Sequence, residues 1–256
     1  MVDVVVAGGG HDAIARLGPG GTAANVGAWA ASLDAEAVAV GAVGDDAAAR
    51  FLRAELERRG VEARFATMTG ARTGTFVVAD GDLHVDRGAN AALTADELPT
   101  LPTADAALVS GYLPADVLAA ALAAALAAAR ADLVILDAAA LDELPAGGDG
   151  VLANERRANA LTGEEPEAAV QALAERYRLA CVTLGARGAI AVLDGRLERA
   201  EPPGRFLQEV PGAGDAFAAG LLVTLARGGS LAEALAEGCR CGASAAGTAG
   251  WPERTD

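Results

Sequence analysis

Short apolar runs alternate along the chain with segments that have a helical pattern of apolar positions. Each apolar run is rich in aliphatic residues and is predicted as a buried strand: 2–7, 37–43, 106–110, 133–137, 150–153 and 181–184. The segments predicted as helices are 47–60, 114–131 and 167–177. Buried strands that alternate with helices are typical of a parallel, doubly wound sheet, whose ligands bind beyond the carboxyl ends of the strands. We therefore predict an α/β fold.

One segment has a different period. Residues 73–85 alternate between the two faces of an extended chain, with Thr75 and Val77 on the same face. Gly81 and Asp82 form a predicted turn within this segment. The pattern therefore indicates a β-hairpin.

A glycine-rich turn precedes a helix of small and apolar residues. Pro211, Gly212 and Gly214 make the turn, and the run from Ala216 onward is suited to a buried helix. The first backbone N–H groups of a helix lack internal partners, so this junction is a predicted anion site that glycine lets a ligand approach closely. Asp215 fits two roles here: a helix cap, or a general base beside donors that stabilise a transferring phosphoryl group.

Composition narrows the range of partners. The chain has 256 residues, is 52% hydrophobic and carries a formal net charge of −15. It can therefore bury a large core, and neither nucleic acid nor an anionic membrane is an expected partner. The three cysteines lack the spacing of a zinc site. Since no secretory leader or apolar run of bilayer length is recognised, we expect a cytoplasmic protein.

The first predicted strand is followed by glycines that suggest a rival function. Gly8, Gly10 and Ala13 fit the G-x-G-x-x-A form of a dinucleotide-binding fingerprint, which would make the protein a nicotinamide or flavin enzyme. That fingerprint needs a helix that starts at the glycines. The Gly-Pro-Gly-Gly sequence at 18–21 would end such a helix almost at once, so the rival is disfavoured.

The turn described above resembles a known family motif. Gly212, Ala213, Gly214 and Asp215 match the Gly-Ala-Gly-Asp stretch of the PfkB, or ribokinase-like, carbohydrate kinases. The resemblance assigns the first three residues to an anion hole and Asp215 to proton abstraction. It also implies a ribokinase-like three-layer α/β/α fold with a mostly parallel central sheet and a small β lid. The chain would then be a single kinase domain over 1–256, with its lid at about 8–20 and 70–92.

Other segments resemble the parts of this family that bind the phosphoryl acceptor. Gly20, Gly21 and Asn25 match a G-G-x-x-x-N motif in which the glycine backbone and the Asn contact hydroxyl groups. For Asn25 the alternative is capping a helix that runs to about residue 33. Asp12 and Asn90 also match substrate-binding positions, and their alternatives are a solvated loop residue and a plain turn residue.

Two further segments resemble the nucleotide side of the family's site. Asn154 begins a segment like the family's N-x-x-E, but Arg157 stands where the Glu that helps organise magnesium and phosphate is expected. Glu155 is therefore the candidate metal residue, acting through water, or Arg157 contacts phosphate directly. The residues that resemble the nucleotide-binding loop are Thr183, Gly185 and Gly188. A simple strand-to-hairpin turn is the alternative for that loop.

The chain departs from the family pattern in two more places. Glu209, Val210 and Pro211 replace the residues that help to hold a monovalent cation, so potassium activation is not assumed. The segment between Ala7 and Gly20 is shorter than usual, so either the lid is small or part of it is missing from this sequence.

Taken together, the motifs predict a kinase that transfers the γ-phosphoryl group of ATP to a hydroxyl of a small carbohydrate, with magnesium on the nucleotide phosphates. One alternative is a nucleoside kinase of the same fold, which the aromatic content of 4% disfavours. Another is a catalytically weak sugar- or nucleotide-binding protein, suggested by Arg157 and by the changes at 209 and 210. We expect a monomer or a homodimer.

Overall fold

The computed structural model describes residues 1–7, 14–79, 82–130, 133–204 and 211–247. The chain divides into two compact units, Met1–Pro99 and Thr100–Asp256. Each unit contains strands and helices of its own. The extent of a single kinase domain and of its lid stays a prediction.

The first unit contains a four-stranded and a two-stranded sheet. Its strands are β1 (Val2–Ala7), β2 (Ile14–Pro19), β3 (Ala37–Gly44), β4 (Val61–Met68), β5 (Thr73–Ala79) and β6 (Asp82–Gly88), and its helices are α1 (Thr22–Ser32), α2 (Ala47–Arg58) and α3 (Ala89–Ala92). The order in the larger sheet is β2-β1-β5-β6, in which β1 is parallel to β5 and the outer pairs are antiparallel. Strands β3 and β4 pair in parallel.

Helix α2 is fixed to the first unit at its start and along its length. Asp46 caps the helix by accepting from the backbone N–H of Ala49 at 2.8 Å. The same carboxylate accepts from the backbone N–H and the hydroxyl of Thr73, both at 2.7 Å. Leu52 and Leu56 are buried in the hydrophobic core of this unit. One acidic side chain thus joins the start of α2 to the start of β5.

The second unit contains a six-stranded sheet with the order β12-β11-β10-β9-β8-β7. Its strands are β7 (Ala107–Ser110), β8 (Val134–Asp137), β9 (Gly150–Asn154), β10 (Leu179–Thr183), β11 (Ala189–Leu193) and β12 (Arg196–Ala200). Its helices are α4 (Ala115–Ala128), α5 (Glu155–Thr162), α6 (Pro166–Ala174), α7 (Ala213–Ala226) and α8 (Leu231–Gly247). The four strands from β7 to β10 are parallel, whereas β11 and β12 continue the sheet antiparallel. The carboxyl ends of four strands therefore lie along one edge.

Helix α7 packs closely against α8 through glycine. A methyl group at Gly220 would lie 2.8 Å from the carbonyl oxygen of Glu237, and one at Gly238 would lie 2.8 Å from the ring of Phe217. Close approach of the two backbones leaves no room for a side chain at either glycine. This contact holds α7 in place, and with it the turn from which the helix starts.

The structure confirms the strands predicted from apolar runs and the hairpin at 73–85, with ends that differ by a few residues. The elements absent from the prediction are strands β2, β4, β11 and β12 and helices α3, α5 and α8. The dinucleotide-binding alternative is wrong, because residues 14–19 form strand β2 where that fingerprint needs a helix.

Candidate active site

The turn before α7 is open at its centre. Gly212 is the N-cap residue of α7 and has φ 88°, a left-handed conformation that favours glycine. Gly214 is exposed, and apart from its chain neighbours and the nearby backbone of α7, none of the described residues lies within 4 Å of the point where its Cβ would be. Among the described residues, the left-handed backbone explains the glycine at 212, and no packing contact explains the one at 214. The first-turn N–H groups at 213–215 provide the donors and positive potential that suit an anion.

Asp215 lies in the first turn of α7, close enough to Asp137 for their charges to interact. Asp137 is the last residue of β8, and its carboxylate accepts from the backbone N–H of Ala139 at 3.1 Å. Burial, with a smaller contribution from the charge of Asp215, raises the pKa of Asp137 to about 7, against the lowering effect of that hydrogen bond. Two interacting carboxyl groups therefore lie beside the predicted anion site.

Asp137 belongs to a row of polar residues at the carboxyl ends of the parallel strands. Ser110 on β7 is in register with Asp137, and Asn154 on β9 is in register with Thr183 on β10. This edge is where open α/β sheets bind ligands. The sequence analysis assigned roles to Asn154 and Thr183 but none to Asp137. The signal was present, because Asp137 is the polar residue that ends the apolar run 133–137.

In the segment that resembles N-x-x-E, two charged side chains contact other parts of the protein. Asn154 caps α5, and its side-chain oxygen accepts from the backbone N–H of Arg157 at 2.8 Å. The guanidinium of Arg157 donates to the loop after β8, where it reaches the carbonyl oxygens of Ala139 and Leu141. Glu155 forms an ion pair of 2.5 Å with Arg187. The predicted metal residue therefore already has a cationic partner.

The predicted nucleotide-binding loop is a tight turn after β10. Gly185 has φ 57° and begins a single 3₁₀ turn, Gly185–Arg187. Gly188 has φ 87°, and a methyl group there would lie 1.9 Å from the carbonyl oxygen of Ala200 on β12. The backbone N–H of Leu184 donates to Gly188 at 2.7 Å and closes the turn. The fold itself therefore requires glycine at 188.

The predicted acceptor-binding residues Gly20, Gly21 and Asn25 surround the start of α1 in the first unit. Gly21 is the N-cap residue with φ 83°, and a methyl group at Gly20 would lie 1.7 Å from a carboxylate oxygen of Asp3. Asn25 is buried, with 5% of its surface exposed. No side-chain cap is formed at the start of α1, so the alternative of Asn25 as a helix cap is wrong.

Asn90 has a structural partner. Its side-chain oxygen accepts from the backbone N–H of Ala42 on β3 at 3.1 Å, which connects α3 to that strand. A substrate role for Asn90 stays a prediction and would use the NH2 group of its side-chain amide. Asp12, Glu209 and Val210 lie outside the described residues.

The described residues contain neither a metal-binding cluster nor a membrane-spanning helix. Within the described ranges, no group of three or more His, Cys, Asp or Glu side chains is arranged to hold a metal ion. The three cysteines are buried and form no disulfide. In the same part of the chain, no helix combines the length and apolar character needed to span a membrane.

Comparison with known proteins connects this arrangement to one family. A family model described as "pfkB family carbohydrate kinase" matches residues 12–252. The chain is 30% identical over 249 residues to 1-phosphofructokinase of Haloferax volcanii, covering 90% of this chain and 80% of that protein. It is 30% identical over 264 residues to aminoimidazole riboside kinase of Salmonella typhimurium, covering 89% of this chain and 81% of the relative.

A solved structure gives the same result for the fold. The structure of Arabidopsis thaliana ribokinase complexed with ribose and ATP is similar with a TM-score of 0.75 and 25% identity. The similarity covers 91% of this chain and 86% of the ribokinase chain.

Proposed function

The chain belongs to the PfkB family of carbohydrate kinases, which transfer a phosphoryl group to an alcohol, and we propose that Asp215 is its general base. The ribokinase-like fold class predicted from sequence is confirmed, with a mostly parallel sheet and a small antiparallel lid region. The reaction is ATP-dependent phosphorylation of a carbohydrate. The open turn before α7, with Asp215 in the first turn of the helix, is the observation that supports the assignment.

The proposed chemistry uses the helix start and the carboxylate together. Asp215 accepts the proton of a substrate hydroxyl while that oxygen attacks the γ-phosphorus. The bond from the γ-phosphorus to the bridging oxygen breaks, and its electron pair leaves with ADP. The N–H groups of Ala213, Gly214 and Asp215 donate to the transferring phosphoryl group, and Gly212 gives the turn its shape. Gly214 leaves the space that the phosphoryl oxygens need.

Magnesium is proposed as the cation of the nucleotide. Carboxylate oxygens are ligands that Mg²⁺ prefers, and Asp137 presents one beside the second negative charge of Asp215. The residues at this edge therefore fit such an ion, and Asp137 would hold it. When bound, the ion neutralises charge on the nucleotide phosphates. Glu155 remains a predicted ligand acting through water, and one of its carboxylate oxygens is paired with Arg187.

The remaining predicted residues have proposed binding roles. Contacts with the hydroxyl groups of the acceptor are proposed for Asp12, Gly20, Gly21, Asn25 and Asn90. Contacts with the nucleotide are proposed for Asn154, Thr183, Gly185 and Gly188. The location of Asn154 and Thr183 at the carboxyl ends of neighbouring parallel strands supports the second assignment.

The proposed acceptor is a free sugar. The relatives act on different ribose- and fructose-type compounds by their names, while this chain has few aromatic residues on which a base could stack. A thermal-shift screen of pentoses, hexoses, sugar phosphates and nucleosides with an ATP analogue tests this, since ligands that bind the native state raise Tm. Stabilisation by nucleosides alone would contradict the proposal.

The general base is tested by Asp215→Asn. We expect kcat to fall by about 10²- to 10⁴-fold, because the amide cannot accept the hydroxyl proton, while binding of the ATP analogue is retained. Asp105→Asn is the matched control, since Asp105 is an exposed acid of the same unit paired with Arg130. Turnover by Asp215→Asn at the parent rate would show that another group is the base.

A further inference from the structure

Arg157 contacts the protein itself, and its predicted contact with phosphate stays a prediction. It stands in place of an acid, and its guanidinium is turned towards the loop after β8. Its Nε donates to the carbonyl oxygen of Ala139 at 3.2 Å, and one terminal nitrogen donates to that of Leu141 at 2.8 Å. The same nitrogen lies 3.2 Å from the carboxylate of Asp142. The side chain is 20% exposed, so most of it is packed in the protein.

The loop that Arg157 contacts is held in part by a backbone bond from the N–H of Leu141 to the carbonyl oxygen of Ala138, and by the packing of both residues in the core. Ala138, Ala139 and Ala140 have no polar side-chain atoms, so this stretch depends on backbone bonds and on donors from other segments. Ala138 donates to the carbonyl oxygen of Leu152, which anchors the first residue of the loop. A planar guanidinium donates in several directions at once and is well suited to hold two successive carbonyl groups. Arg157 therefore fixes the part of the loop beyond Ala138.

The same loop provides the hydrogen bond that orients Asp137. The backbone N–H of Ala139 donates to the Asp137 carboxylate, and the carbonyl oxygen of Ala139 accepts from Arg157. Moving residue 139 would therefore change the orientation of a carboxylate that interacts with Asp215. Small displacements of groups around a reacting centre lower rates strongly.

We propose that Arg157 is a positioning residue for phosphoryl transfer, which fixes the loop after β8 and thereby the carboxylate of Asp137 beside Asp215. Position 157, where the family's N-x-x-E pattern has an acid, thus supports the site indirectly, through the backbone of the loop after β8. The proposal rests on the proposed function, in which Asp215 is the base.

A double-mutant cycle tests this coupling. We expect Arg157→Gln to lower kcat about 10-fold with little change in the KM for ATP, and Asp137→Asn to lower kcat about 100-fold. If Arg157 acts through Asp137, the double variant has the kcat of Asp137→Asn alone, within about twofold. Arg157→Lys keeps the charge but offers no planar fork, so its kcat should lie between those of the parent and Arg157→Gln. Arg199→Gln, which removes an exposed Arg paired with Glu167, is the control.

The outcomes separate this proposal from the proposed function. Additive losses of kcat, or a loss that appears mainly in the KM for ATP, would overturn the positioning role and favour direct phosphate contact. Hydrogen exchange of the amides at 139–142 gives a readout that needs no turnover, and it should accelerate in Arg157→Gln. Unchanged exchange in that variant would also overturn the positioning role. An inactive parent protein would instead contradict the proposed function.

Discussion

The turn after β10 and the turn before α7 both contain two glycines, and both resemble nucleotide-contacting segments of the family. They differ in what the protein does with the space around them. A methyl group at Gly188 would meet the backbone of β12 at 1.9 Å, whereas one at Gly214 would meet none of the described residues within 4 Å. Glycine at 188 is thus required by packing, whereas no packing contact of the described residues requires glycine at 214.

The two turns also differ in the charged residues that lie beside them. The turn after β10 contains Arg187, whose charge is balanced by Glu155. The turn before α7 contains Asp215, which interacts with the like-charged Asp137. Like charges held close together favour binding of a proton or a cation. The two turns therefore differ in the sign of the charge that lies beside their acidic residue.

The largest expected effect is on stability, at the turn after β10. Gly188→Ala would force a side chain into a conformation with φ 87° and against the carbonyl oxygen of Ala200. We expect the free energy of unfolding to fall by about 3 kcal/mol or more. Gly163→Ala is the control, because Gly163 has φ 77° but open space around it, and should cost only about 1 kcal/mol. Denaturant titration measures both. Equal losses would mean that the contact with β12 adds nothing.

The next effect is on activity, at the turn before α7. Gly214→Ala should lower kcat/KM for ATP by about 10- to 100-fold, because a methyl group would enter the space proposed for the transferring phosphoryl group. Unfolding free energy should stay the same or rise slightly, since alanine favours a helix over glycine. Gly214→Leu should lose more activity with similar stability. Steady-state kinetics and thermal unfolding of the same preparations separate the effect on activity from the effect on stability. Parent-like kinetics in both variants would contradict the difference inferred between Gly188 and Gly214.

The sequence predicts most strands and most helices because apolar runs such as 133–137 are local signals. It also points to Asp215, because the turn and the start of the helix are adjacent in the chain. It does not predict the partners of Asp137, Arg157 or Asn90, which depend on contacts between distant segments. Asn90 accepts from the backbone N–H of Ala42. Arg157, on α5, donates to the loop after β8, and the two segments come together only once β8 and β9 are paired. Register and packing between elements determine these roles.

The smallest expected effect concerns Glu155, the acid beside the turn after β10. Its side chain is 41% exposed and that of Arg187 is 62% exposed, so the ion pair adds little to stability. If this pairing is the main role of Glu155, Glu155→Gln should change kcat by less than about twofold at all magnesium concentrations. A loss of about 10-fold or more that excess magnesium reverses would instead support Glu155 as a metal residue. The comparison of the two turns predicts the first result, since Glu155 has a cationic partner and Asp137 faces another acid.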